Sequence, residues 1–252
     1  MRTNSLHDGE GGMTIDCSFN WHEVRAVART SMRPGGVNLT RRALDFCSLP
    51  VGSLVADIGC GAGDTLGHLA AFYRPVGVDC SAKLLEEAHG RLMSAQLLRG
   101  LAEALPFKGL LFDALFCECV LSILKDGVKA LHECARVLRE GGFLILSDVF
   151  ARNGHPWERP EDNRRRFPLR PPFVKQDLLG FLEGLGFSVL LWEEHERLLK
   201  EFVARMILAG IRPPDSWGCR MAWGTEKKGR AGLSYFLLVG RKNAGPASSA
   251  SI

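Results

Sequence analysis

The densest chemistry in this 252-residue sequence is the run Val55-Ala56-Asp57-Ile58-Gly59-Cys60-Gly61-Ala62-Gly63-Asp64-Thr65, an apolar stretch ending in alternate glycines. Glycine tolerates positive φ and the close approach of a ligand. Such a turn suits a nucleotide-like cofactor at the carboxyl end of a parallel strand. Asp79 ends the next apolar run, 20 residues past Gly59. There a carboxylate can accept hydrogen bonds from both ribose hydroxyls of an adenosine. Its bland alternative is a helix N-cap, a role Ser81 can fill instead. Asp64 stands where a dinucleotide fingerprint has its third glycine, and a second acid, Asp57, precedes the turn. A pyrophosphate would be repelled there, whereas a sulfonium amino acid with a free ammonium group would not. S-adenosylmethionine fits this charge pattern better than NAD.

A second cluster is Cys117-Glu118-Cys119-Val120. A soft thiolate at Cys119 would suit a thiophilic acceptor such as a metalloid, but free cysteines are more often packed as small hydrophobes. No metal site is expected, because His132 and Cys134, two apart on a helix, point to different faces. His22 and His155 are candidate acceptor-side bases, with Glu158 beside them. Arg164 to Arg166 are candidates for meeting an acidic acceptor, and Trp157, Trp217 and Trp223 for lining an apolar pocket.

These residues need a frame. From Leu54 the sequence alternates strand and helix patterns: strands over Leu54–Ile58, Pro75–Asp79, Gln96–Arg99, Phe112–Cys117 and Gly142–Ser147, with helices over Asp64–Tyr73, Ala82–Met93 and Gly127–Leu138. This is an α/β pattern, which calls for a parallel sheet covered on both faces and entered by right-handed crossovers. Helices over Lys175–Leu185 and Glu194–Ala209, with strands over Phe187–Trp192 and Leu233–Gly240, complete the chain. Residues 151–172 hold five prolines and read as a long loop. The expected organisation is a disordered 1–18, one domain over 19–242 with its core at 50–150, lid elements at 19–40, 151–172 and 193–232, and a disordered tail at 243–252.

Composition excludes some classes. Hydrophobic residues make up 46% and charged residues 24%, with Lys plus Arg 32 against Asp plus Glu 28. The net +4 is too small and too evenly spread to imply nucleic acid or an anionic membrane. No apolar stretch is long enough to span a bilayer and the N-terminus does not read as a secretory signal. Eight cysteines, several inside apolar runs, suit reduced thiols, so a cytoplasmic setting is expected. Monomer and homodimer both stay open.

The sequence resembles the class I S-adenosylmethionine-dependent methyltransferases, nearest in flavour to their UbiE-like and arsenite methyltransferase-like members. The matching pieces are VADIGCGAGDT (Val55–Thr65), VGVDCS (Val76–Ser81), AEALPF (Ala102–Phe107), FDALFCECVLSIL (Phe112–Leu124) and ARVLREGGFLILSDVF (Ala135–Phe150). The resemblance implies a doubly wound, seven-stranded, mostly parallel, Rossmann-like sheet with its seventh strand antiparallel and a lid insertion before it. It also implies that the cofactor S-adenosylmethionine lies across the ends of the first, second and fourth strands. By position, Gly59, Cys60, Gly61 and Gly63 form the cofactor loop, Asp57 orients the amino-acid end and Asp79 holds the ribose. Ala102 offers its backbone N–H to adenine, with Cys80, Glu103 and Cys117 nearby. Related proteins often carry an Asp on the adenine amino group at the position of Leu101, which cannot do this, so adenine rests either on backbone groups and apolar contacts or, with the loop shifted by one, on Glu103. The implied activity is methyl transfer to a small molecule. Alternatives are metalloid or thiol methylation through Cys119, or a non-catalytic cofactor-binding regulatory protein. The Met32-Arg33-Pro34-Gly35-Gly36 turn is a candidate for closing over the methionine end.

Overall fold

The computed structural model describes residues 24–25, 32–92, 95–152, 173–211 and 232–244. Eight strands form one sheet: β1 (Leu54–Ile58), β2 (Arg74–Asp79), β3 (Gln96–Arg99), β4 (Phe112–Glu118), β5 (Leu138–Ala151), β6 (Phe173–Val174), β7 (Phe187–Glu194) and β8 (Leu233–Lys242). The order is β3-β2-β1-β4-β5-β8-β7, with β6 paired to β5 off this path. Only β8 runs antiparallel to its neighbours, β5 and β7. The expected seven-stranded sheet is therefore present, and the two-residue β6 makes an eighth strand by extending the end of β5 at Phe150 and Ala151. Strand order reverses between β1 and β4, which opens a crevice at their carboxyl ends, where doubly wound sheets bind ligands.

Helices cover both faces: α1 (Val37–Cys47), α2 (Asp64–Leu69), α3 (Ala82–Arg91), α4 (Gly127–Val137), α5 (Lys175–Gly184) and α6 (Glu196–Leu208). Alternation along each strand divides the core. Ala56, Ile58, Leu115, Cys117, Leu144 and Leu146 face α4 and α5, whose Leu131, Cys134, Leu178 and Leu182 are buried against them. Val55, Ala114, Phe116, Ile145, Val149 and Tyr235 face the other way, onto α1 and α6. Side-chain caps fix two helix starts: Ser81 Oγ accepts from Leu84 N at 3.3 Å, and Asp126 Oδ1 accepts from Lys129 N at 2.9 Å.

Two expectations shift. Residues 196–208, expected in a lid, form α6, whose Leu199, Phe202, Val203 and Met206 are buried in the core beside Tyr235 and Leu237. Strand β5 begins at Leu138 rather than Gly142, because Leu138 already pairs with Phe112 before the register shifts. Residues 1–23, 26–31, 93–94, 153–172, 212–231 and 245–252 lie outside the described residues, and with them the expected disordered N-terminus, most of the tail, and most of the remaining lid segments, although residues 37–40 of the expected 19–40 element form the start of α1. Among the described residues no helix is long and apolar enough to cross a membrane.

Candidate active site

The glycine loop joins β1 to α2 at the reversal point. Gly59 N and Cys60 N both donate to Val78 O, at 2.7 and 3.1 Å, which ties the loop to β2. Gly59 and Gly61 have φ of +74° and +52°, the left-handed region that favours glycine. A Cβ on Gly59 would strike Val120 of the segment after β4, and one on Gly61 would lie 2.8 Å from Met32 Cε. The loop is thus enclosed by protein on two sides. Asp79 Oδ2 accepts from Gly61 N and Oδ1 from Ser81 N, both at 2.8 Å. Burial raises the Asp79 carboxyl, while backbone hydrogen bonds from Ser81, Gly61 and Cys80 pull it back. Asp79 therefore joins the glycine loop to the start of α3, and Ser81 takes the N-cap.

Beneath the loop lies a buried polar floor. Arg33, 7% exposed, donates through Nη2 to Glu118 Oε2 at 2.7 Å, and the Glu118 side chain is 3% exposed. The same nitrogen reaches Thr40 Oγ1 at 2.7 Å and Thr65 Oγ1 at 2.8 Å, and Nη1 donates to Gly36 O. Thr65 Oγ1 also bonds Glu118 Oε2 at 2.9 Å. Burial works against the Arg33 charge, but Glu118, with smaller help from Tyr235, Asp57 and Cys119, outweighs it and raises the guanidinium pKa. Asp57 completes the floor: it is 3% exposed. Burial pushes its carboxyl well up; Glu118 adds to the rise and Arg33 opposes it. Two buried carboxylates thus share one guanidinium, which leaves the floor deficient in positive charge.

The N-terminal segment also holds the loop from outside. Arg25 pairs with Asp64 at 3.2 Å and with Glu87, and Arg91 pairs with Asp64 at 2.9 Å. Asp64, in the place of a dinucleotide fingerprint's glycine, is therefore an anchor for two arginines.

Toward β5 and β8, Tyr235 Oη lies 3.3 Å from Cys119 Sγ and 3.0 Å from Ser147 Oγ. Cys119 has φ +60° and its N–H donates to Ser147 O at 2.7 Å. Burial raises its thiol far above the usual range, with Asp148 adding to the rise and the Tyr235 hydrogen bond opposing it. Asp148 Oδ2 accepts from Ser122 N at 2.9 Å, and burial pushes its carboxyl up to about 6. Cys117 faces the core on the side of Cys134, and His132 packs edge-on against Phe181 at 5.8 Å.

On the β2–β3 side, Cys80, Ala102 and Glu103 are partly exposed, and Leu101 bridges to Ala104. The structure thus brings Asp57, Gly59, Cys60, Gly61, Gly63, Asp79 and Cys80 together at the carboxyl ends of β1 and β2. Cys117 is turned into the core, and His22 and His155 lie outside the described residues. Glu118, Thr40, Thr65 and Tyr235 were not anticipated. Glu118 was the available signal, as a charge flanked by the apolar residues 114–117 and 119–121.

Comparison with known proteins agrees with this geometry. Residues 56–146 match the family described as a methyltransferase domain. An O-methyltransferase, cnsE, of Penicillium expansum is 32% identical over 164 residues, which is 62% of this chain and 59% of that protein. A probable tRNA methyltransferase 9B of Mus musculus is 34% identical over 148 residues, 58% of this chain and 29% of that protein. Both matches span less than two thirds of the relative's length. Among solved structures, the [4+2]-cyclase SpnF superposes with a TM-score of 0.68 at 22% identity, covering 89% of this chain and 93% of that one. With five ordered motifs, the strand order and the glycine loop in agreement, residues 56–146 form a methyltransferase domain of the class I, S-adenosylmethionine-dependent kind.

Proposed function

We propose that this chain transfers the methyl group of S-adenosylmethionine to a small-molecule acceptor. The observation that carries this is the buried floor: Asp57 and Glu118 are both buried beside the one guanidinium of Arg33, which pairs with Glu118. A ligand bringing an ammonium and a sulfonium to this floor supplies the missing positive charge, whereas a pyrophosphate would add to the excess of negative charge.

When bound, the cofactor supplies an electrophilic methyl with a neutral thioether as leaving group. The residues of this chain then act mainly by positioning. Asp57 faces the ammonium end, Asp79 the ribose, and the backbone around Ala102 the adenine. Met32, packed on Gly61, covers the loop. Asp148 is fully engaged with Ser122 and Val149, so it is a structural acid rather than a free base. The reading needs no general base among the described residues, in keeping with a displacement at a sulfonium carbon.

Metalloid or thiol methylation through Cys119 is less favoured. Its thiol is buried and pushed far up by that burial, the opposite of what a nucleophilic or metal-ligating thiolate requires. We also propose a single domain over 19–242 and a cytoplasmic setting, in keeping with the buried thiols of Cys47, Cys117 and Cys134. Transfer of labelled methyl groups over a panel of phenols, amines, carboxylates, thiols, arsenite and tRNA tests the reading. Label in a small organic acceptor is expected; label only in tRNA or arsenite, or in nothing, would overturn it.

A further inference from the structure

The turn after β3 is held by two side chains of α4. Glu133 Oε2 accepts from Leu105 N at 2.7 Å, and Arg136 donates to Leu105 O at 3.1 Å and to Phe107 O at 2.7 Å. The two side chains are locked to each other, with Arg136 Nε 2.6 Å from Glu133 Oε1 and Nη2 2.8 Å from Oε2. Together they take both backbone groups of Leu105, as a neighbouring strand would. The end of α4 continues the pairing: Leu110 N donates to Arg136 O at 3.0 Å and Leu111 N to Val137 O at 2.7 Å. At the other end of the turn, Gly100 N donates to Asp79 O at 3.0 Å, and Ala104 N closes onto Leu101 O at 3.1 Å. Residues 101–104 are therefore a short arch pinned on one side to Asp79 and on the other to the Glu133–Arg136 pair.

This arch is where the adenine of the proposed cofactor would lie, and Leu101 has no polar side-chain atom to read it with. Recognition there falls to the backbone and to the partly exposed Glu103, which the same backbone positions, and such hydrogen bonds weaken steeply with small errors in distance and angle. Whatever fixes the backbone then fixes the selectivity. We propose that Glu133 and Arg136 are positioning residues that give this chain its discrimination for adenine. The inference rests on the S-adenosylmethionine reading above.

The test compares S-adenosylhomocysteine with S-inosylhomocysteine by calorimetric titration. The inosine analogue turns the ring N1 from an acceptor into an N–H donor and the amino group into a carbonyl, and leaves ribose and homocysteine unchanged. The wild type is expected to prefer the adenine form by about 10- to 100-fold, the range of one to two hydrogen bonds made or left unpaired. In Glu133→Ala and Arg136→Ala the preference falls below about 3-fold, because the arch is no longer held to hydrogen-bonding accuracy. Glu133→Gln, whose amide oxygen can still accept from Leu105 N, keeps most of it. Should an alanine variant fail to fold, Arg136→Lys, which can reach only one of the two carbonyls, shows an intermediate ratio. If the alanine variants, or Arg136→Lys in their place, weaken both ligands in parallel at an unchanged ratio, the pair is merely structural and the inference is overturned while the cofactor reading stands. Failure of the wild type to bind either ligand overturns both.

Discussion

Replacing Arg33 by Met removes the cation from the floor while keeping much of its volume. Glu118 would then sit with a side chain 3% exposed, its 2.7 Å contact to Nη2 gone, and with only Thr40 at 3.2 Å and Thr65 at 2.9 Å to accept from. Breaking a buried pair from one side costs about 3–5 kcal/mol, since the orphaned charge keeps its desolvation penalty. The two threonine hydroxyls place the expected loss in the lower part of that range, about 3–4 kcal/mol. For a domain of this size that corresponds to roughly 6–16 °C in melting temperature. The deficit has a pH signature. Burial holds the Asp57 carboxyl well up and Arg33 opposes that rise; without Arg33 it rises further, and because a raised folded pKa penalises the fold above the unfolded value, the Arg33→Met deficit shrinks as pH falls toward about 4. Adding Glu118→Leu removes the orphaned charge, and the double variant should recover to within about 1–2 kcal/mol of the wild type. Urea unfolding followed by circular dichroism, at pH 7 and pH 4.5, measures all three chains. A single-variant loss under about 1 kcal/mol, or a double variant no more stable than the single, would refute the reasoning.

Asp79→Ala is expected to weaken S-adenosylhomocysteine by about 1.5–3 kcal/mol, or roughly 10- to 150-fold, since it removes a charged acceptor near the ribose and also frees Gly61 N and Ser81 N; titration calorimetry reads this directly. Gly61→Val places a branched side chain at φ +52° against Met32, costing roughly 1–3 kcal/mol of stability and bringing cofactor affinity below detection; a folded variant with wild-type affinity would place the ligand elsewhere. Asp148, pushed up to about 6 by burial, destabilises the fold as pH rises from its unfolded value near 4 through 6. Wild-type stability should therefore fall relative to Asp148→Asn by about 3 kcal/mol between pH 4 and pH 7, and parallel curves would contradict that.

Local signals carried much of this architecture. Strand β1 begins and ends where its mostly apolar run does, because a strand buried on both faces reads as a largely apolar stretch. The glycine spacing located the turn, and Asp79 was legible from its distance to that turn. What stayed hidden depends on contacts between distant positions. Arg33 meets Glu118 across 85 residues, and Tyr235 meets Cys119 across 116, which no spacing pattern encodes. Helix α6 shows why the lid was misplaced: Leu199, Phe202, Val203 and Met206 reveal an apolar stripe, but not which surface it covers. The start of β5 was missed because Arg139, Glu140, Gly141 and Gly142 look like a turn, although Leu138 is already paired with Phe112.

The central claim is that the crevice at the ends of β1, β2 and β4 holds S-adenosylmethionine. Calorimetric titration of the purified chain with S-adenosylmethionine, and separately with NAD, tests it most directly. The account predicts one S-adenosylmethionine per chain with a dissociation constant between about 1 μM and 1 mM, the range in which enzymes commonly meet their substrates, and no saturable heat with NAD. Saturable binding of NAD, or no binding of S-adenosylmethionine at millimolar concentration, would contradict it.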